Sequence, residues 1–101
     1  MQFDIYANPR GGDYPLLLDI QADLLSSLAT RVVVPLVKRK RLGRAHVRRL
    51  NPFIAVEGVE YAALFQEMAA IPSAALGARV TSAVNLRAEF VAAMDLLLTG
   101  V

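Results

Sequence analysis

The hydrophobic period changes once along this chain, and that change limits what it can build. From the N-terminus the apolar residues recur every second position in short runs, whereas after Asn85 they recur on a helical stripe. Phe3, Ile5 and Ala7 alternate with Gln2, Asp4 and Tyr6, which predicts a half-buried strand. Asn8-Pro9-Arg10-Gly11-Gly12-Asp13 supplies turn chemistry, and Tyr14 to Ile20 returns with Leu16, Leu18 and Ile20 on one face. Arg31 to Val37 is rich in β-branched residues and reads as a third strand. Its Pro35 has no N–H to give to a ladder, which predicts an edge position or a bulge.

Phe53 to Val56 and Val59 to Phe65 flank Glu57-Gly58, the signature of a tight hairpin. Met68 to Pro72 is read as a further irregular strand that Pro72 ends. Leu86, Phe90, Met94, Leu97, Leu98 and Val101 then line one helical stripe, with Asn85 as the expected N-cap, Glu89 near the positive dipole end and Gly100 as the C-cap. Strands first and one helix last, without βαβ alternation, predict an α+β fold: a small antiparallel, barrel-like sheet with a C-terminal α-helix.

The 101 residues suit one domain, 1–101, that buries roughly two thirds of its unfolded surface. An apolar share of 55% is too high for a disordered chain, and part of it is expected to face a partner. With no cysteine, disulfides and thiolate chemistry are excluded. The longest apolar run, Val32 to Val37, is far too short to span a bilayer. Met1 to Tyr6 carries an acid and no basic leader, so a cytoplasmic protein is expected.

The net charge of +2 hides an asymmetry. No acid occurs from Leu24 to Val56, where Arg31, Lys38, Arg39, Lys40, Arg41, Arg44, Arg48 and Arg49 all lie. A polyanion or an acidic peptide would be steered to such a segment, whose bland alternative is a solvated loop. No aromatic lies between Arg31 and Asn51, so stacking on single-stranded bases is unsupported.

Catalytic constellations are sparse. His46 is the sole histidine, which precludes a two-histidine metal site within one chain, and no cofactor or metal is expected. Asp19 and Asp23 bracket a strand end; paired carboxylates can do acid–base work in a cleft, but capping a turn and keeping an edge soluble is the expected role. Gly11-Gly12 lacks the spacing of a phosphate loop. The helix stripe is core first, and Met94→Ala should cost about 2 to 5 kcal/mol if its site is enclosed. Leu96, Leu97 and Leu98 point about 100° apart and cannot all face one sheet, so part of this tip should meet another chain, most simply in a two-fold homodimer.

Met1-Gln2-Phe3 with Tyr6, Asp19 with Gln21 and Asp23, Val34-Pro35-Leu36, Arg48 with Leu50 and Pro52, Met68-Ala69 with Pro72, and Gly100 before a last aliphatic stand in an order and register that resemble the CcdB family over the whole chain. The resemblance implies an SH3-like antiparallel barrel or sheet with a C-terminal helix, paired into a two-fold homodimer. It further implies a non-enzymatic toxin of a type II toxin–antitoxin system, which binds the A subunit of DNA gyrase and poisons it, and which a CcdA-like antitoxin with an acidic tail removes.

Carried over residue by residue, the gyrase-binding positions are Leu24, Leu25, Asp95, Leu98, Thr99, Gly100 and Val101. The family pattern ends Trp-Gly-Ile where this chain has Thr99, Gly100 and Val101; it tends to Asn at Asp95 and has Phe at Leu98. Threonine offers no ring to stack on a gyrase arginine, so the dimer and fold are expected to survive while trapping of gyrase is weak or absent. Arg41, Arg44 and Arg48 are the expected antitoxin contacts. No membrane contact and no direct sequence-specific nucleic-acid binding are expected. Two alternatives are a dimer that binds antitoxin without toxicity and a MazF-like ribonuclease using Thr30, Arg31, Arg44 and His46.

Overall fold

A computed structural model describes residues 1–43 and 46–101. Among these residues seven strands form one antiparallel, curled sheet: β1 (Asp4–Ala7), β2 (Leu16–Asp19), β3 (Thr30–Lys38), β4 (Phe53–Val56), β5 (Val59–Ala63), β6 (Ala69–Pro72) and β7 (Arg79–Ser82). A C-terminal helix, α1 (Arg87–Thr99), follows. The sheet runs β4-β5-β3-β2-β1-β7, with β6 also laid against β3.

The expected strands are present, but Pro35 is not at an edge. Strand β3 is the longest and most central; its first half pairs with β6 through Thr30 to Val33 and its second half with β5 through Leu36 to Lys38. Pro35 falls between these ladders, opposite Leu17 of β2. Its carbonyl accepts the Leu64 N–H at 3.0 Å on the side where the two neighbours change over, so its own nitrogen faces a place where no ladder bond is required. A proline is tolerated mid-sheet because the opposite side of β3 is split.

Strand β7 lies where the sequence suggested no element. Its four residues show no clean alternation, because the register against β1 slips between Ile5 and Tyr6 and leaves Val80 as the extra residue of a bulge. The Glu57-Gly58 hairpin is as expected: both residues take positive φ, 50° and 78°, matching the twist of the strands they join.

The main core lies on one face of the sheet, where Ile5, Leu18, Val34, Leu36, Ala63 and Phe65 meet the helix through Phe90 and Ala93. Phe90 is fully buried, its ring centroid 5.3 Å from Phe3 and 6.0 Å from Phe65. Phe3 reaches this position with φ at 67°, a left-handed conformation that bulky residues rarely take. Its N–H donates to the Asp19 carbonyl and its carbonyl accepts from Ala83. These bonds hold the chain in that conformation and aim the ring at the helix. A smaller cluster on the opposite face joins Val37, Ala62 and Leu64 to Tyr14, Leu42 and Phe53.

The helix stripe is shorter than its sequence period. Met94 and Leu97 are half-buried against the core, whereas Leu98 and Val101 are exposed. Asn85 is not the N-cap, because Val84–Leu86 already form a helical turn closed by Leu86 N–H on the Ala83 carbonyl. The α1 boundary therefore moves to Leu86, which makes no side-chain cap. Gly100 does terminate α1, in the left-handed conformation (φ 75°), with its N–H on the Leu96 carbonyl at 3.0 Å. Among the described residues no helix is long and apolar enough to cross a membrane.

Candidate functional site

The helix tail is built to point outward. Gly100 turns the chain out of α1 and leaves Leu98 71% and Val101 77% exposed, in a fold whose other large aliphatics are mostly buried or half-buried. Asp95 and Thr99 are exposed beside them. The Thr99 hydroxyl donates to the Asp95 carbonyl at 2.7 Å, so this side chain lies back along its own helix.

Leu24 and Leu25 occupy a separate loop, a single helical turn at Asp23–Leu25 between β2 and β3. Both are exposed, Leu24 by 92% and Leu25 by 47%. The turn is held from below. Gln21, buried, donates through Nε2 to the Leu25 carbonyl at 2.9 Å and accepts the Val32 N–H at 3.1 Å, while Asp23 accepts the Gln2 N–H at 2.7 Å. Gln21 is thus an anchor whose part no local pattern revealed. Leu28, half-exposed in the same loop, is a further apolar residue that no sequence period singles out.

Asp19 departs from its expected role at an edge. It is completely buried in the sheet, where its Oδ2 accepts from the Arg31 guanidinium and its Oδ1 accepts the Gln21 N–H at 3.0 Å. Further along the chain, Asp23 faces a backbone amide, so the two carboxylates serve different structural ends. This burial also withdraws Arg31 from the surface, taking it out of the Thr30, Arg31, Arg44 and His46 set considered for ribonuclease chemistry. Thr30 and His46 are exposed, and Arg44 lies outside the described residues.

The basic segment divides into two parts. The helical turn Arg39–Arg41 follows β3, and two of its three cations, though they have no acid nearby in sequence, find acids from elsewhere: Arg39 pairs with Glu60 at 3.0 Å and Arg41 with Asp13 at 3.2 Å. All four side chains are exposed, so each pair is worth at most about 1 kcal/mol. Arg39 also lies over the Phe53 ring, 4.1 Å from its centroid. Arg48 and Arg49 belong instead to a turn that faces α1 and line, with Pro52, Glu89 and Ala92, a hollow of about 240 Å³. Arg41 lines a different hollow of about 440 Å³ with Asp13, Tyr14 and Leu42, so Arg41 and Arg48 do not share a pocket.

Two aromatic hydroxyls have altered acidity. The Tyr14 phenol is raised because it donates to Glu67 at 3.0 Å and would lose that bond on ionising. Tyr6 is raised chiefly by burial, with Asp4 and Asp19 adding to the effect.

The fold is a curled antiparallel sheet packed against one C-terminal helix, with exposed apolar side chains at the helix tail and on the separate Asp23–Leu25 turn. The CcdB family model, described as CcdB protein, matches residues 2–100, and the chain belongs to the CcdB family. Membership implies a toxin of a toxin–antitoxin pair that acts on gyrase; the family is one of toxins that bind gyrase, not catalysts, and its members typically dimerise and bind a CcdA antitoxin.

Proposed function

We propose that this protein is a cytoplasmic, non-enzymatic toxin that binds the A subunit of DNA gyrase as a two-fold homodimer through Leu24, Leu25, Asp95, Leu98, Thr99, Gly100 and Val101. The observation that carries the reading is the outward tail: Leu98 and Val101 stand largely in solvent where the fold has no use for them. Thr99 lacks the tryptophan ring, and its hydroxyl is spent on the Asp95 carbonyl. Loss of a tryptophan anchor typically costs about 2 kcal/mol or more, roughly thirtyfold in affinity. The protein therefore traps cleaved gyrase weakly or not at all.

The test is purified gyrase with plasmid DNA and increasing toxin. Little linear DNA is expected with the native chain, and more with Thr99→Trp. Abundant linear DNA from the native chain at submicromolar concentration would remove the argument from Thr99, and no gyrase contact by either form would remove the reading itself.

An acidic antitoxin tail would be steered to Arg41, Arg44 and Arg48 and would order on binding. The hydrogen-bonded Thr99 also favours a second reading, a dimer that keeps antitoxin binding without toxicity. Induced expression with and without Thr99→Trp separates the two. A MazF-like ribonuclease has less support because Arg31 is buried on Asp19, and incubation with single-stranded RNA tests it directly.

A further inference from the structure

Between β3 and β4 the chain is strongly cationic, and the fold gathers its two described halves around one residue. Phe53, half-buried at the start of β4, has the Arg39 guanidinium over its ring and the His46 ring 6.0 Å away. Pro52, the preceding residue, lines the hollow shared with Arg48 and Arg49. On the other flank Lys38, Arg39 and Lys40 line a broad depression with Gly58, Val59 and Glu60. The result is a basic band that wraps the edge strand β4, from Lys40 past Phe53 on the face opposite α1 to Arg48 and Arg49 on the α1 side.

The band is held on rigid backbone. Asn51 is fully buried behind the Arg48–Arg49 turn; its Oδ1 accepts the Val47 N–H at 3.0 Å, and its Nδ2 donates to Gln66 at 2.7 Å and to the Ala63 carbonyl at 3.2 Å. The Asn51 and Leu50 N–H groups both close on the Val47 carbonyl. A turn needed only to carry solvated charge has no use for a buried amide that ties it to β5. At the other end, the Arg39–Arg41 helical turn is closed by Leu42 N–H on the Arg39 carbonyl.

Arg39 and Arg41 already have carboxylate partners, whereas Lys40, Arg48 and Arg49 have none within ion-pair distance among the described residues; Glu89 lies on the rim of the Arg48–Arg49 hollow without pairing. We propose that this band, with Lys40, Arg48 and Arg49 as its contacts, binds the phosphate backbone of double-stranded DNA without reading sequence. An extended acidic peptide would need apolar pockets to fix its side chains, whereas both hollows of the band are lined mainly by charged residues, Lys38, Arg39, Lys40 and Glu60 in one and Arg48, Arg49 and Glu89 in the other. Single-stranded nucleic acid would need exposed rings, and Phe53 is covered by Arg39. Regularly spaced phosphates need only placed cations.

The proposal uses none of the helix-tail residues. It shares Arg48 with the antitoxin reading, so it is tested on the toxin alone. A short random-sequence DNA duplex carrying a fluorophore is titrated with the full chain, and anisotropy is followed at several salt concentrations. Three neutralised phosphates predict an affinity that falls roughly fortyfold between 50 and 200 mM salt, and equal affinity for an unrelated duplex.

The K40Q/R48Q/R49Q variant, with its fold checked by circular dichroism, should bind at least tenfold more weakly, while R48K/R49K keeps the charge and the binding. No binding by the native chain at about 50 mM salt, a salt-independent affinity, or tighter binding to a poly-glutamate peptide or anionic vesicles than to the duplex would overturn it.

Discussion

Arg31 and Asp19 form an ion pair inside the sheet: the guanidinium, itself buried, donates to a carboxylate with no solvent exposure. The pair joins neighbouring strands β2 and β3 on the face opposite the aromatic core. Removing Asp19 leaves the buried Arg31 guanidinium unpaired, and removing Arg31 leaves Asp19 only the N-terminal ammonium, 3.6 Å from its Oδ2. Arg31→Leu is expected to destabilise the fold by about 3–5 kcal/mol. Arg31→Met with Asp19→Asn, which keeps an acceptor for the Gln21 N–H, should recover much of that loss in urea denaturation.

Phe90 is the helix's main hold on the sheet, packed against Phe3 and Phe65. Phe90→Ala should cost about 3–5 kcal/mol. Met94 is only half-buried, so Met94→Ala should fall at or below about 2 kcal/mol, the lower end of the cost for an enclosed methionine. Thermal unfolding of both variants ranks them, and an equal loss at the two sites would contradict the burial.

Gly77 lies just before β7 and packs directly on the backbone of Ala7, the last residue of β1. Its N–H donates to the Ala7 carbonyl at 2.9 Å, and a Cβ there would lie 2.6 Å from that same oxygen. Gly77→Ala is expected to force the strands apart and cost about 1–3 kcal/mol, measurable as a lowered urea midpoint.

Tyr14 links the loop before β2 to Glu67. Its folded-state acidity is weaker than that of a free phenol, chiefly because of the hydrogen bond to Glu67. The linked stability is fully present below the unfolded value near 10 and disappears as pH rises through the higher folded value. The native chain should therefore lose more stability than Tyr14→Phe between about pH 9 and pH 11. Parallel loss in the two forms would show that the bond carries no net stability.

Much of the architecture follows from local pattern. Alternation marked the strands, Glu57-Gly58 marked its hairpin because both positions accept positive φ, and Gly100 marked the end of the helix. Each depends on the conformational preferences of a few adjacent residues. Pro35 in mid-sheet, bulged β7 and buried Asp19 did not follow, since each is settled by what lies on a neighbouring strand. The same holds for the surface. The count of cations between Leu24 and Val56 was plain from the amino acids, but the pairing of Arg39 with Glu60 and of Arg41 with Asp13, and the approach of Arg39 and His46 to Phe53, required chain segments far apart in sequence to be brought together. Short-range sterics write themselves into periodicity, whereas the choice of partner is made only when the whole sheet closes.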